Sequence, residues 1–238
     1  MQTMPAVSLA ATPGRRRAAL DVGQELERRG FSGIYCTSLT DGLGLCEALA
    51  LVTHEIQLGT AIANIYTRHP FDYAQTAAIV QELSGGRFWF GIGVSHGPTH
   101  ERYGTNTGRP LADTRCFVEQ LHAGTLPRDT MPPVVLATLR RRMVELAAEI
   151  GQGVIWANGA RSHMAASLSH LQPHQRDDPG FFIGDMVPTC IDDDRQAAAA
   201  LLRRILSGYV ALPNYRNYWT EAGYGDEMEA IQQALTVG

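Results

Sequence analysis

The sequence predicts an α/β fold, a parallel (β/α)8 barrel whose last βα unit is missing or irregular. Three observations carry this. Short apolar, β-rich runs alternate with longer helical patterns along the chain, the order that builds a parallel sheet covered by helices. Many of the strand runs are continuously apolar, as burial on both faces demands. The rival open doubly wound sheet lacks its signature. The G-x-G in GIGVSH (91–96) has His96 at its sixth position and falls on the fourth strand instead of the first, so the dinucleotide fingerprint is incomplete. At 238 residues one domain over residues 1–238 is expected, because barrels use roughly 200–250 residues in one piece.

The elements follow in order. PAVSLAA (5–11) reads as the first strand and residues 17–30 as its helix, closed by Gly30 where a left-handed residue is wanted. FSGIYCTS (31–38) is the second strand, with a helix over 43–54. EIQLGTAIAN (55–64) is the third, followed by a helix over 71–86 that two glycines end. RFWFGIGV (87–94) is the fourth, with a helix over 110–124. PPVVLAT (132–138) and a helix over 140–151 make the fifth unit. GVIWANG (153–159) and a helix over 162–171 make the sixth. FFIGDMVPTCI (181–191) is a seventh strand, then a long helix spans 194–212 and a shorter one 226–235. Nothing strand-like follows Ile191, so the expected count is seven, where closure wants eight.

Composition removes several function classes. The formal net charge is −4, from 24 acidic and 20 basic residues, without the basic stripe of a nucleic-acid surface. Every basic residue is arginine, which excludes a Schiff-base lysine. The four cysteines form no C-x-x-C pair, as in a reducing cytosol. The apolar run near the N-terminus precedes its arginines, the reverse of a secretory signal. No run approaches the ~20 apolar residues of a membrane span. A cytoplasmic protein without nucleic-acid or membrane partners is expected.

In a parallel barrel, ligands lie at the C-terminal ends of the strands. Those ends here are Thr37-Ser38, Ala61-Ile62-Ala63-Asn64, Ser95-His96, Thr138-Leu139-Arg140-Arg141 and Trp156-Ala157-Asn158. The set is small, neutral and hydrogen-bonding. It suits the lining of a pocket for a planar ring with polar edges, where small side chains let backbone approach. Paired-carboxylate hydrolysis has little to stand on. ATLRRRM (137–143) puts three arginines in the first turn of a helix, whose free N–H groups and dipole attract phosphate; solvated arginines on an exposed turn are the alternative. His96 and His100 lack the third ligand of a metal site, so no metal is expected. Arg68-His69-Pro70 with Asp72 reads as a helix start. The aromatic set Tyr209, Tyr215, Tyr218, Trp219 and Tyr224 reads as core or interface packing, with a pocket wall as the alternative.

Three stretches lie in register on this alternation: LGTAIANIYTRHP (58–70), ELSGGRFWFGIGVSHG (82–97) and LRRRMVELAAEIGQGVIWANG (139–159). Together they resemble the luciferase-like monooxygenase superfamily, and more closely its deazaflavin (coenzyme F420)-dependent reductase branch, over residues 5 to 225. The resemblance implies a (β/α)8 barrel of the bacterial-luciferase type, a homodimer, and F420 or FMN at the C-terminal mouth. It implies a non-prolyl cis peptide at Ala61–Ile62 that backs the ring. Carried over, Thr37 and Ser38 lie beside the reacting face, and His96 takes the place of an acid or polar group. Leu139, Arg140 and Arg141 hold the cofactor phosphate, and Trp156 and Asn158 line the pocket with Asn64 and Ser95. His96 and Ser38 are the candidates to shuttle a proton. The chain departs from the pattern in having Thr37-Ser38 where some dehydrogenases have histidine, and Leu139-Arg140 in place of Gly-Pro. The implied activity is hydride transfer between F420 and a small organic substrate. The alternatives are an FMN-dependent monooxygenase served by a partner flavin reductase, and a non-catalytic flavin- or deazaflavin-binding protein.

Overall fold

A computed structural model describes residues 4–237. The chain runs β1 (Val7–Leu9), α1 (Arg16–Arg28), β2 (Gly33–Cys36), α2 (Gly42–Val52), β3 (Gln57–Thr60), β4 (Ala63–Asn64), α3 (Pro70–Leu83) and β5 (Phe88–Gly93). It continues with α4 (Gly97–Tyr103), α5 (Pro110–Ala123), β6 (Val134–Ala137), α6 (Arg141–Ile150), β7 (Gly153–Ala157), α7 (Met164–Leu168) and α8 (Pro173–Asp177). The last elements are β8 (Phe182–Met186), α9 (Arg195–Val210), α10 (Pro213–Glu221) and α11 (Gly225–Val237).

All seven expected strands are present. The third is split, so the sheet counts eight: β3 and β4 are separated by Ala61–Ile62, which is a non-prolyl cis peptide. The sheet order is β1-β2-β3-β5-β6-β7-β8, with β4 continuing β3 against β5. Every pairing is parallel. Among the described residues no pairing joins β8 back to β1, so the strands form a half-barrel, open along that seam.

The period-two alternation of side chains sorts the strands into two layers. Ile34, Leu58, Phe88, Phe90, Val134, Leu136 and Val154 pack outward against Leu49, Ala74, Leu121, Val144 and Ala147 of the helices. Their neighbours Tyr35, Trp89, Val135, Ile155 and Phe182 pack together on the inner side. The Phe182 ring lies 5.3 Å from Tyr35 and 5.5 Å from Trp89, so aromatic contact spans the interior between strands that share no ladder.

Two local features shape the mouth. Gly91 is needed for a close approach: a Cβ there would sit 1.9 Å from the Thr60 carbonyl oxygen. Thr60 Oγ1 also donates to the Gly91 carbonyl at 2.6 Å. The glycine of GIGV therefore seats β3 against β5 immediately before Ala61. The RHP segment starts α3 as expected, with His69 Nδ1 accepting from the Phe71 N–H at 3.2 Å and Pro70 as the first helical residue. The short helices α4 and α8, and α10 with its opening Pro213, fall where no helix was expected.

Candidate active site

The C-terminal ends of β5, β6 and β7, together with the segment from Tyr209 to Asn217, enclose a cavity of about 870 Å³. That is in the upper range of small-molecule and cofactor sites. Its floor is apolar, with Ala61, Ile62, Val94, Ala137, Ile155 and Ala157 in the lining. No aspartate or glutamate lines it, whereas His96, His100, Arg140 and Arg142 do. Its positive charge comes from Arg142 and from Arg140, the latter shared with Glu221, and such charge attracts anions.

Of the residues singled out from the sequence, Ser38, Ala61, Ile62, Ser95, His96, Leu139, Arg140 and Trp156 line this cavity together. Asn64 lines a smaller adjoining cavity. Thr37, Arg141 and Asn158 line neither. Arg141 projects outward, with its side chain 65% exposed and 3.9 Å from Glu145. The next residue, Arg142, is the one that turns to the cavity, since successive helical residues differ by about 100° in direction.

The wall carries unsatisfied polar atoms. Trp156 Nε1 and Thr138 Oγ1 are buried without a hydrogen-bond partner, as are Thr37 Oγ1 and Asn158 Oδ1 nearby. Buried polar groups are nearly always paired, so such a group wants an explanation. Backbone conformation is also unusual at this rim. Ser95, two residues past β5, and Asn158, directly after β7, have φ of 56° and 58°, the left-handed region that L residues other than Asn seldom adopt. Such conformations cluster at functional sites.

His96 is half-buried at the start of α4. Its Nδ1 lies 3.0 Å from Thr99 Oγ1 and 3.4 Å from Ser95 Oγ. Burial, and secondarily the nearby His100, push its pKa below the ordinary 6.5, so the imidazole is neutral at pH 7 and can accept a proton. Tyr66 donates its hydroxyl to Asp113 Oδ2 at 2.6 Å, and Asp113 also accepts from the Gly108 N–H at 2.9 Å. Burial first, and that hydrogen bond second, raise the Tyr66 pKa. It stays protonated and fixed, with its ring 5.3 Å from His100.

Sequence reasoning missed Tyr66, Asn214 and Asn217; it weighed His100 only as a metal ligand and Arg142 only as one of three phosphate-attracting arginines, and all five are in the lining. For Tyr209 and Tyr215 it favoured packing over a pocket wall, and both hold: they pack on each other at 5.0 Å and line the cavity. The helices behind them are pinned to the barrel. Tyr218 Oη accepts from the Ala160 N–H at 2.9 Å, Trp219 Nε1 donates to the Asn158 carbonyl at 3.3 Å, and Arg140 forms an ion pair with Glu221. This pair raises the Arg140 pKa and lowers that of Glu221. Among the described residues there is no cluster of metal-ligating side chains, and no helix is long and apolar enough to cross a membrane.

Comparison with known proteins agrees with this architecture. A 5,10-methylenetetrahydromethanopterin reductase from Archaeoglobus fulgidus is 32% identical over 217 residues, covering 80% of this chain and 65% of that protein. One of the same name from Methanolobus tindarius is 27% identical over 151 residues, 54% of this chain and 46% of that protein. The chain thus spans about half to two thirds of the length of these relatives. The coenzyme F420-dependent tetrahydromethanopterin reductase of Methanopyrus kandleri superposes with a TM-score of 0.72 at 17% identity, over 88% of this chain and 73% of that one. An FMN-bound type II Baeyer–Villiger monooxygenase from Pseudomonas putida superposes at 0.63 and 12% identity, over 95% and 79%. These likenesses show a shared fold. The model of the family described as luciferase-like monooxygenase matches residues 2–237, and so the chain belongs to that family of oxidoreductases.

Proposed function

We propose that this chain is an oxidoreductase that moves a hydride between coenzyme F420 and a small organic substrate. The observation that carries the reading is the carboxylate-free cavity at the strand ends, basic at one side and apolar beneath. The residues present suit a flat, polar-edged group with an anionic tail. The partnerless Trp156 Nε1 and Thr138 Oγ1 offer hydrogen bonds to ring carbonyls or nitrogens. The small side chains of Ala61, Ala137 and Ala157 leave space over the floor. Arg140 and Arg142, at the start of α6, would hold the phosphate by charge-assisted contacts beside the helix N-terminus. When bound, the deazaflavin supplies the hydride donor or acceptor. The protein's part is to orient, to exclude water and to manage a proton at His96 Nδ1 or Nε2, with Ser38 in the same lining. Relatedness to 5,10-methylenetetrahydromethanopterin reductases supports F420. An FMN-dependent monooxygenase that draws on a partner reductase is the second reading, supported by the fold shared with an FMN-bound monooxygenase.

The test is titration of the purified protein with F420 and, separately, with FMN, followed through tryptophan emission. The expected result is saturation by F420 at micromolar concentration, with FMN at least ten-fold weaker. Preference for FMN would establish the second reading, and binding of neither would refute both.

A further inference from the structure

A second cavity, of about 370 Å³, lies behind Ile62 and shares only Ser38, Ile62 and Tyr66 with the larger one. Apart from the shared Ser38 and Ile62, the proposed hydride chemistry uses none of its residues. Its wall is formed by the β2–α2 connection, β4 and the approach to α3, and its chemistry is one-sided. Asp41, the candidate acceptor, is committed: Oδ1 accepts from the Gly44 N–H at 3.0 Å as the cap of α2, and Oδ2 accepts from Arg68 Nη2 at 2.9 Å. The Tyr73 and Thr67 hydroxyls are tied to each other and to the Asn64 carbonyl. What remains are donors. Arg68 uses one of its N–H groups on Asp41, and its side chain is 34% exposed. Asn64 is 5% exposed, and its Nδ2 has no partner, nor has Thr40 Oγ1. A wall with surplus donors, one guanidinium and the first turn of α2 favours a ligand rich in acceptor oxygens and carrying negative charge.

We infer that this cavity is a separate binding site for a small carboxylate-bearing molecule, with Arg68 as its principal ligand and Asp41 as the internal group that the carboxylate displaces. The inference does not rest on the identity of the cofactor. Because Asp41 and the ligand compete for Arg68, the two substitutions have opposite signs. Asp41→Asn keeps a good helix cap and frees the guanidinium, whereas Arg68→Gln removes it.

The experiment is calorimetric titration of the protein, with and without saturating F420, using succinate and its uncharged analogue succinamide as probes. Succinate is expected to bind at millimolar concentration and succinamide at least ten-fold more weakly. Arg68→Gln should weaken succinate binding ten-fold or more, which is about 1.4 kcal/mol. Asp41→Asn should tighten it several-fold, and Arg140→Gln in the larger cavity should leave it unchanged. Equal binding of the two probes, no binding of succinate, or weakening by Asp41→Asn would overturn the inference. So would a loss confined to Arg140→Gln, which would put the carboxylate in the larger cavity. Absence of F420 binding with succinate binding intact would refute the cofactor reading and leave this site standing.

Discussion

Gly91→Ala tests whether the mouth of the barrel is held by the contact between β3 and β5. The added Cβ would lie 1.9 Å from the Thr60 carbonyl oxygen and 3.0 Å from its carbon. Non-bonded heavy atoms settle near about 3.5 Å, so the two strands must separate by roughly 1.6 Å or the turn must rebuild. The clash is with backbone, so no side-chain rotation relieves it. Thr60 is 2% exposed, and the separation also strains its 2.6 Å hydrogen bond to the Gly91 carbonyl. Overpacking costs typically 1–3 kcal/mol; a backbone clash belongs at the top of that range, about 3 kcal/mol. For a chain of this size that lowers Tm by about 6–12 °C. Ala61 and Ile62 follow Thr60 directly, so cofactor affinity should fall with stability, since a 1 Å misplacement can cost about 10²-fold in activity. Gly93→Ala meets side chains instead, Ala137 Cβ at 2.8 Å and Ile62 Cγ1 at 3.2 Å, and should cost less, about 1 kcal/mol. Gly97→Ala faces open space and should be neutral. Thermal unfolding and F420 titration of the three variants give the answer. Equal stability of Gly91→Ala and Gly97→Ala would refute the reasoning.

The three arginines at the start of α6 should separate in a cofactor titration: Arg140→Gln and Arg142→Gln weaken binding by about 1.5–3 kcal/mol each, the range for a charged hydrogen bond, and Arg141→Gln has little effect. His96→Gln should lower turnover by about 10²-fold or more while leaving cofactor affinity unchanged, the size of a lost proton-transfer group. The pH dependence of His96 follows from its lowered pKa: the folded state disfavours the proton, so its contribution to stability is present above 6.5 and lost as pH falls below it. His96→Gln should therefore unfold less readily in acid than the parent, and the imidazole should titrate below 6.5 by NMR. Tyr218→Phe leaves the half-buried Ala160 N–H without its acceptor and should cost about 1 kcal/mol in urea unfolding.

What the sequence disclosed is what local pattern can encode. Apolar runs between helix-period segments gave the strands, most plainly β5, β6 and β7, where burial on both faces writes itself into consecutive residues. The split of the third strand was legible only through resemblance: nothing in GTAIAN (59–64) by itself separates a bulge from a continuous strand. Helix α10 was not legible, because Pro213 and the polar Asn214, Arg216 and Asn217 read as a loop, and it exists through tertiary bonds such as Tyr218 to Ala160. The same reason hid Asn214 and Asn217 in the wall of the cavity, whereas Tyr209 and Tyr215 were legible as a pocket wall only as the alternative to packing.

The arginines show most plainly how the site exceeds its motif. As sequence, Arg140, Arg141 and Arg142 are equivalent, and each invites a phosphate. In the fold one faces solvent, one faces the cavity, and Arg140 is paired with Glu221, 81 residues away. That pair is half exposed, 52% and 42% at its two side chains, so its own worth to the fold is small, about 0–1 kcal/mol. Its effect on binding is larger, because a phosphate must compete with a carboxylate already seated on the guanidinium. Glu221→Gln should thus strengthen binding of the phosphate-bearing cofactor while barely moving Tm. The affinity of this mouth for an anion is then set jointly by α6 and by α10.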